Sequence, residues 1–193
     1  KMTILTSSIN VVGGTIQVNS LPGVAGALLT SNGASAPVWN TKIIVGAHLS
    51  ANAVAGTAGV ALPIINDVVD FDTTSSYDNT TGVFTAPRDG YYNINTFARV
   101  TDFGTPNGNR IQCAIQKKIG GTFVLWAQTE TVDFETNLKV GTGIINMIIY
   151  LLQGEEARTT VTMNGGGGWL LRGSAASGNG TAFLTNISIN SVD

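Results

Sequence analysis

The chain has 193 residues, of which 43% are hydrophobic and only 11% are charged, and its formal net charge is −2. This length is enough for one substantial domain and an appendage. The sequence offers no basic face to neutralise phosphates, which argues against nucleic acid as a partner. It also has no apolar run of about 18 residues for membrane insertion. Because Thr, Ser, Asn and Gly supply most of the polar surface, the composition indicates an all-β protein.

Residues 1–40 form short extended pieces that are interrupted by Gly, Asn and Pro. The Asn32-Gly33 pair predicts a hairpin that joins residues 28–30 to residues 37–39. The zone has too little apolar mass for a core of its own. We therefore expect residues 1–40 to be an extended connector or anchor segment that is ordered by a partner chain or by the main domain.

Residues 41–193 are predicted to form one β domain, because strand-like runs recur with turn signals between them. The predicted strands are residues 42–50, 64–71, 82–86, 90–100, 109–118, 122–132, 141–152, 156–163 and 181–190. No sustained helical periodicity competes with them. The regular succession of short strands indicates a sandwich or a barrel rather than βαβ units.

Residues 90–100 alternate between two kinds of side chain. One set suits a core and consists of Tyr92, Ile94, Thr96, Ala98 and Val100. The other set mixes aromatic, amide and guanidinium groups and consists of Tyr91, Asn93, Asn95, Phe97 and Arg99. Successive strand residues point to opposite faces of a sheet. We therefore predict that the second set forms a subunit contact.

Two later strands extend this prediction. In the last strand, Phe183, Thr185 and Ile187 are expected to face the core, which leaves Leu184 and Asn186 on the contact side. The run IINMIIYLL, residues 144–152, is apolar on both faces. A strand of this kind is normally covered on both sides, and a two-layer sandwich covers only one. The sequence therefore predicts an oligomer.

Catalytic and metal-binding signals are weak. His48 and Cys113 are the only residues of their types, so a nucleophile–base pair or an ordinary zinc site is not expected. Cys113 is predicted to be buried as a small apolar residue. Asp70 and Asp72 would share one strand face and are weak candidate ligands for calcium. We predict no cofactor, with calcium as the alternative.

The run NGGGGWLLRG, residues 164–173, is predicted to be a loop. Flexible glycines would let Trp169, Leu170 and Arg172 contact a ligand, since Trp and Arg are enriched at binding hot spots. In the alternative interpretation, Trp169 and Leu171 pack on the oligomer and the glycines only permit the turn.

Several motifs resemble the globular head domain of the complement first-component recognition subunit, one of the tumour-necrosis-factor-like jelly rolls. The matching residues are Phe71, Tyr77-Asp78-Asn79, Thr81-Gly82-Val83-Phe84, Pro87 and Gly90-Tyr91-Tyr92. Two further stretches, residues 149–155 and 178–184, match in order. Ile94 and Thr96 depart from the pattern, since the family usually has aromatics there. The resemblance covers roughly residues 42–190.

The resemblance implies a two-sheet antiparallel jelly-roll sandwich that forms a homotrimer and binds partners without catalysis. Phe84 and Tyr92 would fill the sandwich. Residues 21–40 are similar to segments that precede heads in phage fibres and bacterial surface proteins. We therefore expect a receptor- or glycan-binding head at a virion surface or in the extracellular space, attached to other virion or fibre proteins through residues 1–40. The alternatives are a bacterial adhesin or lectin-like module and a purely architectural capsid-decorating protein.

Overall fold

The computed structural model describes residues 9–12, 15–18, 21–22, 27–32, 35–50, 52–102, 110–131, 140–164, 168–173 and 185–192. The chain divides into two compact units, Lys1–Lys42 and Ile43–Asp193. All regular elements in the described ranges are β-strands. None of the described residues forms a helix long and apolar enough to cross a membrane.

The first unit contains two small antiparallel sheets. The three-stranded sheet consists of β1 (Ile9–Val12), β2 (Thr15–Val18) and β3 (Leu21–Pro22). The two-stranded sheet consists of β4 (Ala27–Asn32) and β5 (Ser35–Thr41), with Leu29 opposite Trp39. The pairing of Asn32 with Ser35 confirms the hairpin that the Asn32-Gly33 pair predicts.

The second unit is a sandwich of two antiparallel sheets. The seven-stranded sheet contains β6 (Ile44–His48), β7 (Asn52–Gly56), β9 (Val68–Asp72), β12 (Gly90–Asp102), β15 (Val140–Leu151), β17 (Trp169–Arg172) and β18 (Asn186–Val192). The six-stranded sheet contains β8 (Leu62–Pro63), β10 (Tyr77–Asp78), β11 (Val83–Thr85), β13 (Arg110–Ile119), β14 (Thr122–Thr131) and β16 (Glu156–Asn164). The predicted fold class, an all-β jelly-roll sandwich, is confirmed.

Strand β12 organises the seven-stranded sheet because it is long enough to pair with three neighbours. Strand β15 runs along one side of it from Gly90 to Thr101. On the other side, β18 pairs with the first part of β12 and β17 pairs with Val100 to Asp102. Strands β6 and β9 then continue from β18, and β7 continues from β17.

The core lies between the two sheets and follows the alternation predicted for β12. Its inward residues Tyr92, Ile94, Thr96, Ala98 and Val100 are all buried. Residues of β13 that alternate in the same way, such as Ile111 and Cys113, are buried with them. The rings of Phe84 and Tyr92 meet edge to face with centroids 5.2 Å apart, which confirms that both fill the sandwich.

Some predicted elements were wrong. The run 169–172 is strand β17 rather than part of a loop, and β7 was missed. Residues 64–71 are not one strand: β8 ends at Pro63, and Ile64 to Asp67 separate it from β9. All three errors concern short strands, for which a few alternating residues carry little signal.

Candidate functional site

The outward face of the seven-stranded sheet carries large apolar side chains, most of which are exposed to solvent. We call this surface the apolar face, and it consists of Tyr91, Phe97, Ile144, Ile148, Tyr150 and Val192. Tyr91 lies directly opposite Tyr150 on one neighbouring strand and opposite Val192 on the other. The two tyrosine rings meet edge to face with centroids 5.0 Å apart. Ile148 is 54% exposed, slightly more than Ile144 and Tyr150 on the same strand.

The apolar face results from β15 being apolar on both sides. Ile145, Ile149 and Leu151 point inward and are buried, whereas Ile144 and Ile148 point outward. The inward residues are covered by the six-stranded sheet. Nothing in the described part of the chain covers the outward residues Ile144 and Ile148 to the same extent. The predicted surplus of apolar strand surface is thus present in the structure.

A polar belt crosses the middle of the apolar face. Asn93 lies opposite Ile148 and Asn190, and Asn95 lies opposite Asn146 and Ser188. Within the described part of the chain, the side-chain oxygen of Asn93 is buried and has no hydrogen-bond partner. A buried acceptor left unpaired costs about 1–3 kcal/mol. A donor from a second chain would remove this cost.

A second apolar surface lies at the adjoining edge of the sandwich. The pairing of β13 with β14 shifts register between Ile115 and Gln116, so that Trp126 has no residue opposite it. This β-bulge exposes both Leu125 and Trp126, to 56% and 50%. Strand β14 adjoins β15 here, as shown by the hydrogen bond that the hydroxyl of Thr129 donates to the carbonyl oxygen of Ile144. The sequence pattern did not predict these two residues, since a bulge breaks the alternation.

The structure places the predicted contact residues of β12 and β18 on one surface. Tyr91 is exposed, and Asn93, Phe97 and Asn186 are half-buried beside it or along the same face. Leu184 lies outside the described residues. The role of these residues in a subunit contact stays a prediction.

The predicted exposure of Trp169 is wrong. Strand β17 lies between β7 and β12, and its alternation buries Trp169 and Leu171 completely. A Cβ atom on Gly56 would lie 2.1 Å from the indole ring, so the ring occupies the space that this glycine leaves. Trp169 is therefore a core residue. Leu170 and Arg172 point to the other side and are half-buried, and their role in ligand binding stays a prediction.

The two candidate calcium ligands, Asp70 and Asp72, contact different groups. The register between β6 and β9 shifts at Asp70, which breaks the alternation that a shared face with Asp72 requires. Asp70 Oδ2 lies 3.0 Å from Nδ1 of His48. The carboxylate of Asp72 accepts hydrogen bonds from the backbone N–H groups of Thr74 and Tyr77. Among the described residues, no three His, Cys, Asp or Glu side chains are grouped to hold a metal ion.

Cys113 is buried in the core, as predicted. Burial disfavours the thiolate and raises the pKa of this thiol to about 12. Gly143 on β15 provides the room for it, since a Cβ atom there would lie 2.5 Å from the sulfur. An inert, protonated thiol of this kind is suited to packing and not to nucleophilic chemistry.

No protein-family model matches the chain, and no curated protein sequence matches it. Solved structures do match its fold. Eiger TNF from S. frugiperda is 14% identical with a TM-score of 0.54, over 79% of this chain and 93% of that one. The globular domain of zebrafish complement 1qA protein is 12% identical with a TM-score of 0.50, over 78% and 96%. Murine APRIL is 7% identical with a TM-score of 0.53, over 79% and 100%. The chain therefore has the jelly-roll fold that is seen in tumour necrosis factor and in the complement 1q globular domain.

Proposed function

We propose that this chain is the non-enzymatic head of a homotrimer that binds receptors or glycans on a host surface. The observation that carries the proposal is the apolar face, which extends across β15, β12 and β18. Fully burying a large apolar side chain stabilises by about 1.5–3 kcal/mol. Contiguous exposed apolar surfaces of this kind mark interaction sites in soluble proteins.

The apolar face and the edge surface around Leu125 and Trp126 differ in shape, which favours a ring of identical chains. The apolar face is the flat side of a sheet, whereas Leu125 and Trp126 lie at the edge of the sandwich. A contact between one chain's face and the next chain's edge is heterologous, and such contacts form a closed ring if the rotation allows it. The resemblance to the complement and tumour-necrosis-factor heads implies that three chains close the ring.

The first unit supports a role at the end of a longer assembly. Its two sheets consist of short strands of two to seven residues, and we propose that it joins or anchors the head. The similarity of residues 21–40 to segments of phage fibres and bacterial surface proteins favours a fibre or spike on a virion. A secreted bacterial adhesin would use the same head, and a capsid-decorating protein would use the trimer without a ligand.

Two measurements test the proposal. Native mass spectrometry of the purified protein at micromolar concentration is expected to give three times the 20.0 kDa mass of one chain. A well-folded monomer at this concentration would overturn the trimer. Binding of the labelled trimer to host cells, with displacement by unlabelled trimer, is expected for a recognition head. A trimer that binds no host cell would indicate the architectural alternative.

A further inference from the structure

A polar cavity of about 420 Å³ lies on the six-stranded sheet, on strands other than those that form the apolar face. Outward side chains of β10, β11, β16 and β13 line it, together with Phe123 of β14. The strand register explains why these side chains meet. Asp78 lies opposite Val83, Val83 opposite Arg158, and Arg158 opposite Gln116, so one row crosses four strands.

Arg158 is held in a fixed orientation in this cavity. Its guanidinium carbon lies 4.0 Å from the centroid of the Phe123 ring, and its Nε donates to the side-chain oxygen of Gln116 at 2.9 Å. No acceptor for its two terminal nitrogens is found among the residues that the structure describes. A guanidinium stacked on an aromatic ring is pre-organised and loses little freedom when a ligand binds. The cavity thus presents a rigid pair of hydrogen-bond donors.

The two carboxylates of the cavity provide acceptors. Asp78 accepts hydrogen bonds from the backbone N–H of Thr80 and from the hydroxyls of Thr80 and Thr81, which lower its pKa to about 2. It is therefore ionised at ordinary pH. Both oxygens of Glu156 contact Nζ of Lys118, at 2.8 and 3.0 Å.

The charges of the cavity cancel. Arg158 and Lys118 are positive, and Asp78 and Glu156 are negative. A phosphate, sulfate or carboxylate that approached Arg158 would also meet Asp78 and Glu156, which would repel it. A neutral ligand avoids this repulsion. Such a ligand must offer hydrogen-bond acceptors to the guanidinium and hydrogen-bond donors to the carboxylates. Hydroxyl groups meet both needs, because each can donate and accept a hydrogen bond.

We infer that this cavity binds an uncharged saccharide, with ring or hydroxyl oxygens on Arg158 and hydroxyl donors on Asp78 and Glu156. Its volume falls in the range of about 300–1,000 Å³ that small-molecule sites occupy. Val83 supplies an apolar wall for the carbon face of a sugar ring. The inference deepens the proposed function, on which it rests, by naming the ligand class.

The test is a glycan array that carries uncharged, sialylated and sulfated oligosaccharides, probed with the intact labelled protein. We expect binding to uncharged oligosaccharides. The strongest binder is then titrated by calorimetry against the parent protein, Arg158→Lys and the matched control Arg110→Ala. Arg110 is exposed on the same sheet and pairs with Glu130 outside the cavity.

Arg158→Lys keeps the charge but loses the planar fork, so the Kd is expected to rise at least tenfold, while Arg110→Ala changes it less than twofold. Equal melting temperatures for the three proteins would show that folding is unaffected. Binding restricted to sialylated or sulfated glycans, or an unchanged Kd for Arg158→Lys, would overturn the inference. If the protein binds host cells but binds none of the uncharged saccharides on the array, the saccharide site is overturned and the proposed function still stands.

Discussion

The indole ring of Trp169 lies against the α-carbon of Gly56, on a neighbouring strand of the same sheet. A Cβ atom on Gly56 would come within 2.1 Å of two ring carbons. The largest buried side chain of the core therefore depends on the smallest residue of β7.

Replacing Gly56 with alanine is expected to destabilise the protein. The added methyl group must displace a fully buried ring, and overpacking of this kind typically costs about 1–3 kcal/mol. The measurement is the free energy of unfolding from urea titrations at a fixed chain concentration. Gly168→Ala is the matched control, because, apart from its chain neighbours, no atom of the described residues would lie within 4 Å of a Cβ atom there. If both variants are equally stable, the close approach of the ring to Gly56 is not a constraint.

A charge in the centre of the apolar face is expected to dissociate the proposed trimer. Ile148→Asp would place one carboxylate in each buried contact of the proposed ring, where an unpaired charge is strongly disfavoured. Light scattering across a dilution series is expected to show at least a tenfold rise in the concentration at which half the chains are monomers. Val60→Asp, at a residue exposed to 56% outside this face, is expected to leave that concentration unchanged. Equal behaviour of the two variants would place the subunit contact elsewhere.

The stability of the protein is expected to fall as the pH rises above 9. The thiol of Cys113 keeps its proton in the folded state up to its raised pKa of about 12, whereas the unfolded chain releases it near the ordinary value of 9.0. The folded state then binds more protons than the unfolded one, so higher pH favours unfolding. The contribution of this thiol is roughly 1 kcal/mol between pH 9 and pH 10.

Urea titrations at pH 9 and pH 10 measure this effect in the parent protein and in Cys113→Ala. The difference between the two pH values is expected to be smaller in the variant, which lacks the thiol. Iodoacetamide is also expected to modify Cys113 only after unfolding. Rapid modification of the folded protein at pH 8 would contradict the burial of this residue.

Calcium is expected to have no effect on stability. The carboxylates of Asp70 and Asp72 already have partners in the protein, namely His48 for the first and the backbone N–H groups of Thr74 and Tyr77 for the second. We therefore expect the same Tm in millimolar calcium chloride and in excess chelator. A Tm that rises with calcium and falls with chelator would show that a site exists after all.

The sequence by itself determined the all-β class and the two faces of the long strand β12. The alternation in residues 90–100 assigned Tyr92, Ile94 and Val100 to the core. This worked because inward and outward side chains alternate along the whole of this long strand without a bulge. The same reasoning identified residues 144–152 as apolar on both faces. Long, regular strands carry this information locally, so no knowledge of their neighbours is needed.

Only the tertiary structure decided the places where alternation is short or broken. WLLR has four residues between glycines, and whether it is a loop or a strand depends on β7 and β12, which are distant in the sequence. The bulges at Asp70 and Trp126 arise from the pairing with a second strand, so one strand's pattern does not reveal them. The cavity around Arg158 has the same origin, because its residues come from five strands and meet only through their register.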